Sequence, residues 1–164
     1  MKRLPYKSTA KLKTLRSIQP SLQACRKMKK KIVFTNGCFD ILHVGHVQYL
    51  RRARSLGGCL VVAINSDASV RRLKGPERPV NHERDRAEVL AALECVDFVL
   101  VFSEPTPLQV IRALTPDILC KGGDWKKKDI VGSDWVESHG GKVFSLPFVK
   151  GYSTTSTLQK IKSL

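Results

Sequence analysis

Lys31-Ile32-Val33-Phe34-Thr35-Asn36-Gly37-Cys38-Phe39-Asp40-Ile41-Leu42-His43-Val44-Gly45-His46 is the stretch whose reading decides the fold. It opens apolar and β-branched, as a buried strand does, and breaks at Asn36-Gly37, a turn signal. Two histidines then stand three residues apart. Val47, Leu50, Ala53 and Leu56 follow at helical spacing, with Arg51, Arg52 and Arg54 between them. The order is strand, turn, two histidines, helix. The first turn of a helix has unpaired N–H groups and a partial positive charge, which favour an anion. His43 and His46 add donors aimed at the same place, and Gly45 removes a side chain that would keep a phosphate from the backbone. The stretch therefore predicts a phosphate-handling site.

Working outward, apolar runs alternate with helical patterns. Strands are predicted at about 31–36, 59–64, 96–102, 117–121 and 142–146. Helices are predicted at about 14–29 (disturbed at Pro20), 82–94, 106–114 and 135–138, with a last one from Ser153 or Thr154 to about Ile161. Continuous apolar strands separated by helices argue for a parallel sheet covered on both faces. With right-handed crossovers this is an α/β fold: a single Rossmann-like, doubly wound domain with a five-stranded parallel sheet. Ligands in such folds bind beyond the carboxyl ends of the strands. The unusual residues lie there: 36–46, Asn65-Ser66-Asp67, Lys121-Gly122-Gly123-Asp124 and 151–155. The basic loop Lys74-Gly75-Pro76-Glu77-Arg78-Pro79 lies between the second strand and the helix carrying Arg86.

The chain has 164 residues and a net charge of +15. Residues 1–31 hold 11 of the 29 basic residues and no acidic one, which leaves 18 basic against 14 acidic residues in the remainder. Residues 1–28 are read as a basic extension, partly disordered (1–13) and partly helical, ahead of a domain at 29–164. The extension is a solvated tail, an oligomer contact or a nonspecific polyanion binder; its confinement to one end weighs against a nucleic-acid partner. No run of about 18 apolar residues predicts a membrane span, and no apolar segment follows the basic start as in a secretory signal. A cytoplasmic location is expected. The five cysteines are odd in number and form no Cys-x-x-Cys pair, so neither a disulfide framework nor a zinc site is indicated; Cys59, Cys95 and Cys120 read as buried. There is no Gly-x-x-x-x-Gly-Lys-Ser/Thr, no Gly-x-Gly-x-x-Gly and no Gly-x-Ser-x-Gly, so P-loop phosphotransferases, dinucleotide-fingerprint enzymes and α/β-hydrolases are unsupported.

Gly37-x-Phe39-Asp40-x-x-His43-x-Gly45-His46 resembles the motif of the His-x-Gly-His nucleotidyltransferases, which include cytidylyltransferases. The likeness runs from about Lys31 to Ile161. The stretches Thr35-Asn36-Gly37-Cys38-Phe39-Asp40, Asn65-Ser66-Asp67, 72–80, Lys121-Gly122-Gly123-Asp124 and Gly151-Tyr152-Ser153-Thr154-Thr155 resemble the branch that adenylylates D-glycero-β-D-manno-heptose 1-phosphate. That branch often occurs fused to a sugar kinase, and this chain resembles its stand-alone form. The resemblance implies ATP and a sugar 1-phosphate as substrates, Mg²⁺ held mainly by the nucleotide phosphates, and a homodimer. Cytidylyl transfer to a small alcohol phosphate is the alternative, and a non-catalytic nucleotide- or nucleic-acid-binding module is the alternative of another class.

On this reading His43, His46, Lys74 and Arg78 carry catalysis. Thr35, Asn36, Gly37, Phe39, Asp40, Gly45, Lys121, Gly123, Asp124, Ser153 and Thr154 bind the nucleotide. Asn65, Asp67 and Arg86 meet the substrate phosphate. The acceptor phosphate is already ionised near neutral pH, so alignment and charge stabilisation suffice and no general base is required. Asp40 therefore fixes the loop or meets a metal-bound water. Asp124 contacts ribose or metal, or caps a turn. Trp125 and Trp135 flank the pocket, pack in the core or form a dimer contact. One departure is visible: cytidylyltransferases carry Arg-Thr-x-Gly-Ile-Ser before the last helix, and this chain has Phe148-Val149-Lys150-Gly151-Tyr152-Ser153.

Overall fold

A computed structural model describes residues 8–147, 149 and 151–163. Five strands form one parallel sheet in the order β3-β2-β1-β4-β5: β1 Ile32–Gly37, β2 Cys59–Asn65, β3 Phe98–Phe102, β4 Ile118–Gly122 and β5 Lys142–Leu146. The central strand β1 pairs with β2 on one side (Ile32 opposite Cys59) and with β4 on the other (Val33 opposite Ile118). The strand order reverses at β1, so the crevice for a ligand opens beyond the ends of β1 and β4.

All seven residues of β2 are buried, as expected of a strand covered on both faces. Alternate side chains feed two cores. Ile32, Phe34 and Val61 pack with α2 (Leu15–Lys27) and α6 (Leu108–Leu114); Val33, Leu60 and Val62 pack with α3 (Val44–Ser55) and α5 (Glu83–Ala92). Carboxylates set the strand starts: the Ile32 N–H donates to Asp117 and the Leu60 N–H to Asp97, each at 2.7 Å.

The structure departs from the expected elements in three places. A helix α4 (Asp67–Lys74) follows β2, where the sequence pattern gave only a strand end and a loop. Residues 8–13, expected to be disordered, form a short helix α1 (Ser8–Lys11) and dock: the Lys13 N–H donates to the Val99 carbonyl at 2.9 Å and Lys11 Nζ to the Leu93 carbonyl at 2.9 Å. Residues 1–7 of the expected tail lie outside the described residues. Helix α2, assigned above to the extension, buries Ile18 and Leu22 completely against the sheet. Its Pro20 does not break it. The remaining α-helices among the described residues are α7 (Ser133–Ser138), which starts two residues earlier than predicted, and α8 (Thr154–Lys162); a short 3-10 helix, Lys127–Asp129, precedes α7.

Candidate active site

The end of β1 turns sharply before α3. Phe39 holds a positive φ of 46°, a left-handed conformation that costs a non-glycine residue on the order of 1–3 kcal/mol. The turn is held in place by what surrounds it. The Phe39 ring lies over Gly37, where a Cβ would come within 3.0 Å of it, and its centroid is 5.1 Å from that of His46.

His43 is the N-cap of α3: its Nδ1 accepts from the His46 N–H at 3.4 Å. That bond leaves Nε2 of His43 as the N–H donor. The two imidazoles stack with centroids 3.8 Å apart and planes 19° apart. A Cβ on Gly45 would stand 3.1 Å from the His43 ring and 3.3 Å from Tyr152 Cβ, so glycine here makes room for the stack as well as for a ligand. Burial, and then the neighbouring His43, push the His46 imidazole down to about 4; burial alone pushes His43 below its ordinary value. Both rings are neutral near pH 7. His46 Nδ1 is buried without a hydrogen-bond partner among the described residues.

Asp40 is 3% exposed and faces the basic loop. It accepts from Arg78 Nε at 2.6 Å, from the Val80 N–H at 2.8 Å and from the Asn81 N–H at 3.0 Å, and its own carbonyl accepts from Asn81 Nδ2 at 2.9 Å. Burial would raise its carboxyl; these donors outweigh burial and hold it below the usual carboxylate range. Asp40 thus fastens the loop that carries Arg78 to the turn that carries the histidines.

These residues border one cavity of about 880 Å³ at the carboxyl ends of the strands. Its wall includes His43, Gly45 and His46; Asn36, Gly37, Phe39 and Asp40; Asn65, Lys74 and Arg78; Lys121; and Ser153 and Thr154. Ser153 caps α8 by accepting from the Ser156 N–H at 3.0 Å, and Thr154 Oγ1 donates to the Ile41 carbonyl at 3.4 Å. The N-termini of α3 and α8 therefore border the same space. Lys121 Nζ donates to Asn36 Oδ1 at 3.4 Å, and burial pushes its ammonium below the ordinary lysine value.

Five expected site residues do not reach the cavity wall. Thr35 is buried behind it, 2.5 Å from the Tyr49 hydroxyl, and ties β1 to α3. Gly123 is engaged with the Leu146 carbonyl through its N–H, and Asp124 is exposed beside it. Arg86 was expected to meet substrate phosphate, yet its side chain is fully buried. It donates to the carbonyls of Asn81 (3.0 Å), Cys38 (2.6 Å) and Asn65 (2.8 Å) and pairs with Asp67 at 2.8 Å. An arginine with its donors so engaged braces three segments and has no fork left for a ligand. Asp67 is committed likewise: it accepts from Arg86, His82 and the Glu83 N–H, and its own N–H donates to Glu83.

Sequence reasoning missed Tyr49, Leu73, Pro105, Pro107 and Val131 in the wall. Position just beyond β3 was the available signal for Pro105 and Pro107. Trp125 does border the cavity, 49% exposed, with Nε1 donating to the Gly122 carbonyl at 3.0 Å. Trp135 instead packs on the core under Arg112. Phe148 and Lys150, part of the departure noted above, lie outside the described residues. All five cysteines are free, with Cys59 and Cys120 buried and Cys95 only half-buried.

Residues 34–155 match the cytidylyltransferase-like family. The chain belongs to that family. The family's span starts in β1 and ends in the first turn of α8, so it encloses the whole cavity. Among curated proteins, the bifunctional protein HldE of Geotalea uraniireducens is 54% identical over 156 residues, 95% of this chain and 32% of that protein. HldE of Wolinella succinogenes is 55% identical over 146 residues, 89% of this chain and 30% of that protein. The chain thus spans about a third of the length of these relatives. Among solved structures, a lipopolysaccharide core biosynthesis protein from Thermoplasma volcanium superposes with a TM-score of 0.61 at 28% identity, covering 76% of this chain and 99% of its own. A pantoate-beta-alanine ligase from Francisella tularensis, complexed with beta-gamma ATP and beta-alanine, superposes with a TM-score of 0.60 at 16% identity over 93% of this chain and 78% of its own; it speaks to the fold alone.

Proposed function

We propose that the chain transfers AMP from ATP to D-glycero-β-D-manno-heptose 1-phosphate and releases pyrophosphate, the adenylylation step in making ADP-heptose for lipopolysaccharide. The observation that carries this reading is the neutral, stacked pair His43–His46 at the start of α3, facing one cavity with the start of α8 and with Lys74, Arg78 and Lys121. Neutral imidazoles donate hydrogen bonds without needing a proton from solvent, and helix N-termini favour phosphate oxygens. Together they stabilise charge that grows on the oxygens around the α-phosphorus. The HldE relatives and the stretches 72–80 and 121–124 support the heptose branch over other acceptors.

The residues present fit a divalent ion, taken as Mg²⁺, only as one brought by the triphosphate. Among the described residues no three His, Cys, Asp or Glu side chains converge, and Asp40 is already committed to Arg78, Val80 and Asn81. When bound, the ion neutralises phosphate oxygens. We further take the protein to act in the cytoplasm as a homodimer, the latter open to sedimentation. No helix among the described residues is long and apolar enough to cross a membrane.

Pyrophosphate release measured with each of the four nucleoside triphosphates against heptose 1-phosphate tests the reading. Release with ATP is expected. Release only with CTP and glycerol 3-phosphate would move the assignment to the cytidylyl branch. No release with any pair, alongside tight nucleic-acid binding, would overturn the enzymatic reading.

A further inference from the structure

Among the described residues three cations border the cavity, and they differ in kind. Lys74 is exposed, and Arg78 is turned by its bond to Asp40. Lys121 is partly buried within strand β4; among the described residues no carboxylate pairs with its ammonium, which makes a single hydrogen bond, the 3.4 Å contact with Asn36. A cation withdrawn from water and left without a counter-charge is costly, and its attraction for an incoming anion is stronger than that of an exposed lysine. β4 lies between β1 and β5, so Lys121 stands between the strands that lead to α3 and α8.

We propose that Lys121 binds the phosphate of the acceptor rather than the nucleotide, and holds its attacking oxygen at the α-phosphorus; this rests on the function proposed above. The triphosphate has two helix N-termini and two imidazoles to meet it, and it brings its own divalent ion. The acceptor monophosphate brings no metal and needs a cation from the protein. An ammonium is a compact point charge. It holds one oxygen of a phosphate and leaves another free to react, whereas a guanidinium fork occupies two. In the step itself, an acceptor phosphate oxygen forms a bond to the α-phosphorus while the bond to the α–β bridging oxygen breaks. The electron pair leaves on pyrophosphate, and no proton has to be removed.

The test compares wild type with K121M and K121R. KM is read separately for ATP and for heptose 1-phosphate by pyrophosphate release. Binding of heptose 1-phosphate and of inorganic phosphate is read by calorimetry, with and without a non-hydrolysable ATP analogue. K121M removes a desolvated charge, so it is expected to fold, and a thermal melt checks this; K121R serves where it does not. We expect K121M to raise the acceptor KM by about thirtyfold or more, to leave ATP affinity within about twofold, and K121R to recover part of the loss. As pH is raised, the wild type should lose acceptor affinity before the ordinary lysine range is reached, because burial lowers the Lys121 ammonium, and K121R should not. A fall in ATP affinity with an unchanged acceptor KM would overturn the proposal, as would no change in either. A wild type that never turns over heptose 1-phosphate, yet binds inorganic phosphate in a way that K121M abolishes, would overturn the proposed function and leave Lys121 only as a phosphate-binding residue.

Discussion

His46 is neutral because of where it sits, and its two surroundings act in one direction. The apolar contact with Phe39 removes water, and the stacked His43 ring makes a second positive charge beside it unfavourable. An imidazole free in the unfolded chain titrates near 6.5, and in the fold His46 titrates at about 4. Between those values the unfolded chain binds more protons, so stability is full above about pH 6.5 and falls as pH drops toward 4. Thermal melts at pH 7.5 and pH 5 should show a drop in Tm that is smaller in His46→Gln than in the wild type; an equal drop would mean the ring is not desolvated. In turnover, losing one donor at a developing charge costs about 3–4 kcal/mol, roughly a hundredfold or more in rate. His46→Ala should fold and lose that much pyrophosphate release, and a folded variant with near wild-type turnover would remove the histidine from the mechanism. Arg86 belongs at this scale for the opposite reason. Its charge and its place near a basic loop read as a phosphate contact, but composition does not tell which cation folds inward. Three carbonyls from three segments claim it, and those partners are 5, 21 and 48 residues away in sequence. Arg86→Met should destabilise the fold by about 3–5 kcal/mol, since Asp67 would lose its buried partner. A stable Arg86→Met protein with only a raised substrate KM would restore the phosphate role.

The segment from Gly75 to His82 is held by side chains rather than by secondary structure: the Asp40 carboxylate takes most of its donors, while Arg86 donates to the Asn81 carbonyl and His82 pairs with Asp67 at its end. Asp40 receives three donors from it, all charge-assisted, and such bonds are about twice as strong as neutral ones. The Asp40→Asn change keeps the shape, loses the charge and turns an amide N–H toward donors. Amide hydrogen exchange should speed up at Val80 and Asn81, kcat/KM should fall about tenfold or more through Arg78, and exchange in β2 should stay unchanged. Unaltered protection at Val80 and Asn81 would show that the loop is held by something else. The elements around this loop were unevenly legible. β1 and β2 were plain, because an apolar run bounded by Asn-Gly or Asn-Ser-Asp has few other readings. α4 was missed because Asp67–Lys74 offers only Ala68, Val70 and Leu73 as apolar positions, and of these Val70 is fully buried while Leu73 is exposed. Its start is fixed instead by the Ser66 cap and by the reciprocal bonds between Asp67 and Glu83, a long-range pairing that local pattern does not show. The two helix N-termini at the site were legible from histidine, serine and glycine chemistry. The cavity's apolar side was not, because Leu73, Pro105, Pro107 and Val131 come from separate loops.

At the scale of the molecule, the sheet needs cover on both faces, and the family's own span begins too late to supply all of it. Residues 34–155 include α3 and α5 for one face but leave α2 outside. Without α2, Phe34 and Val61 would lose the helix that shares their core. The charge count obscured this, since residues 1–31 look like a basic tail, and α2 is itself basic on its outer side at Arg16 and Lys27. Its inner stripe is short but fully used: Ile18 and Leu22 are 0% exposed, and Arg26 donates to the Leu114 carbonyl at 2.7 Å, which ties α2 to α6. A buried leucine cut to alanine costs about 2–5 kcal/mol, and for a chain of this size each kcal/mol moves Tm by roughly 2–4 °C. Leu22→Ala should therefore lower Tm by roughly 5–15 °C, while Gln23→Ala on the exposed side should leave it within about a degree. Equal, negligible shifts for both would mean that α2 hangs free of the sheet and that the domain starts at β1.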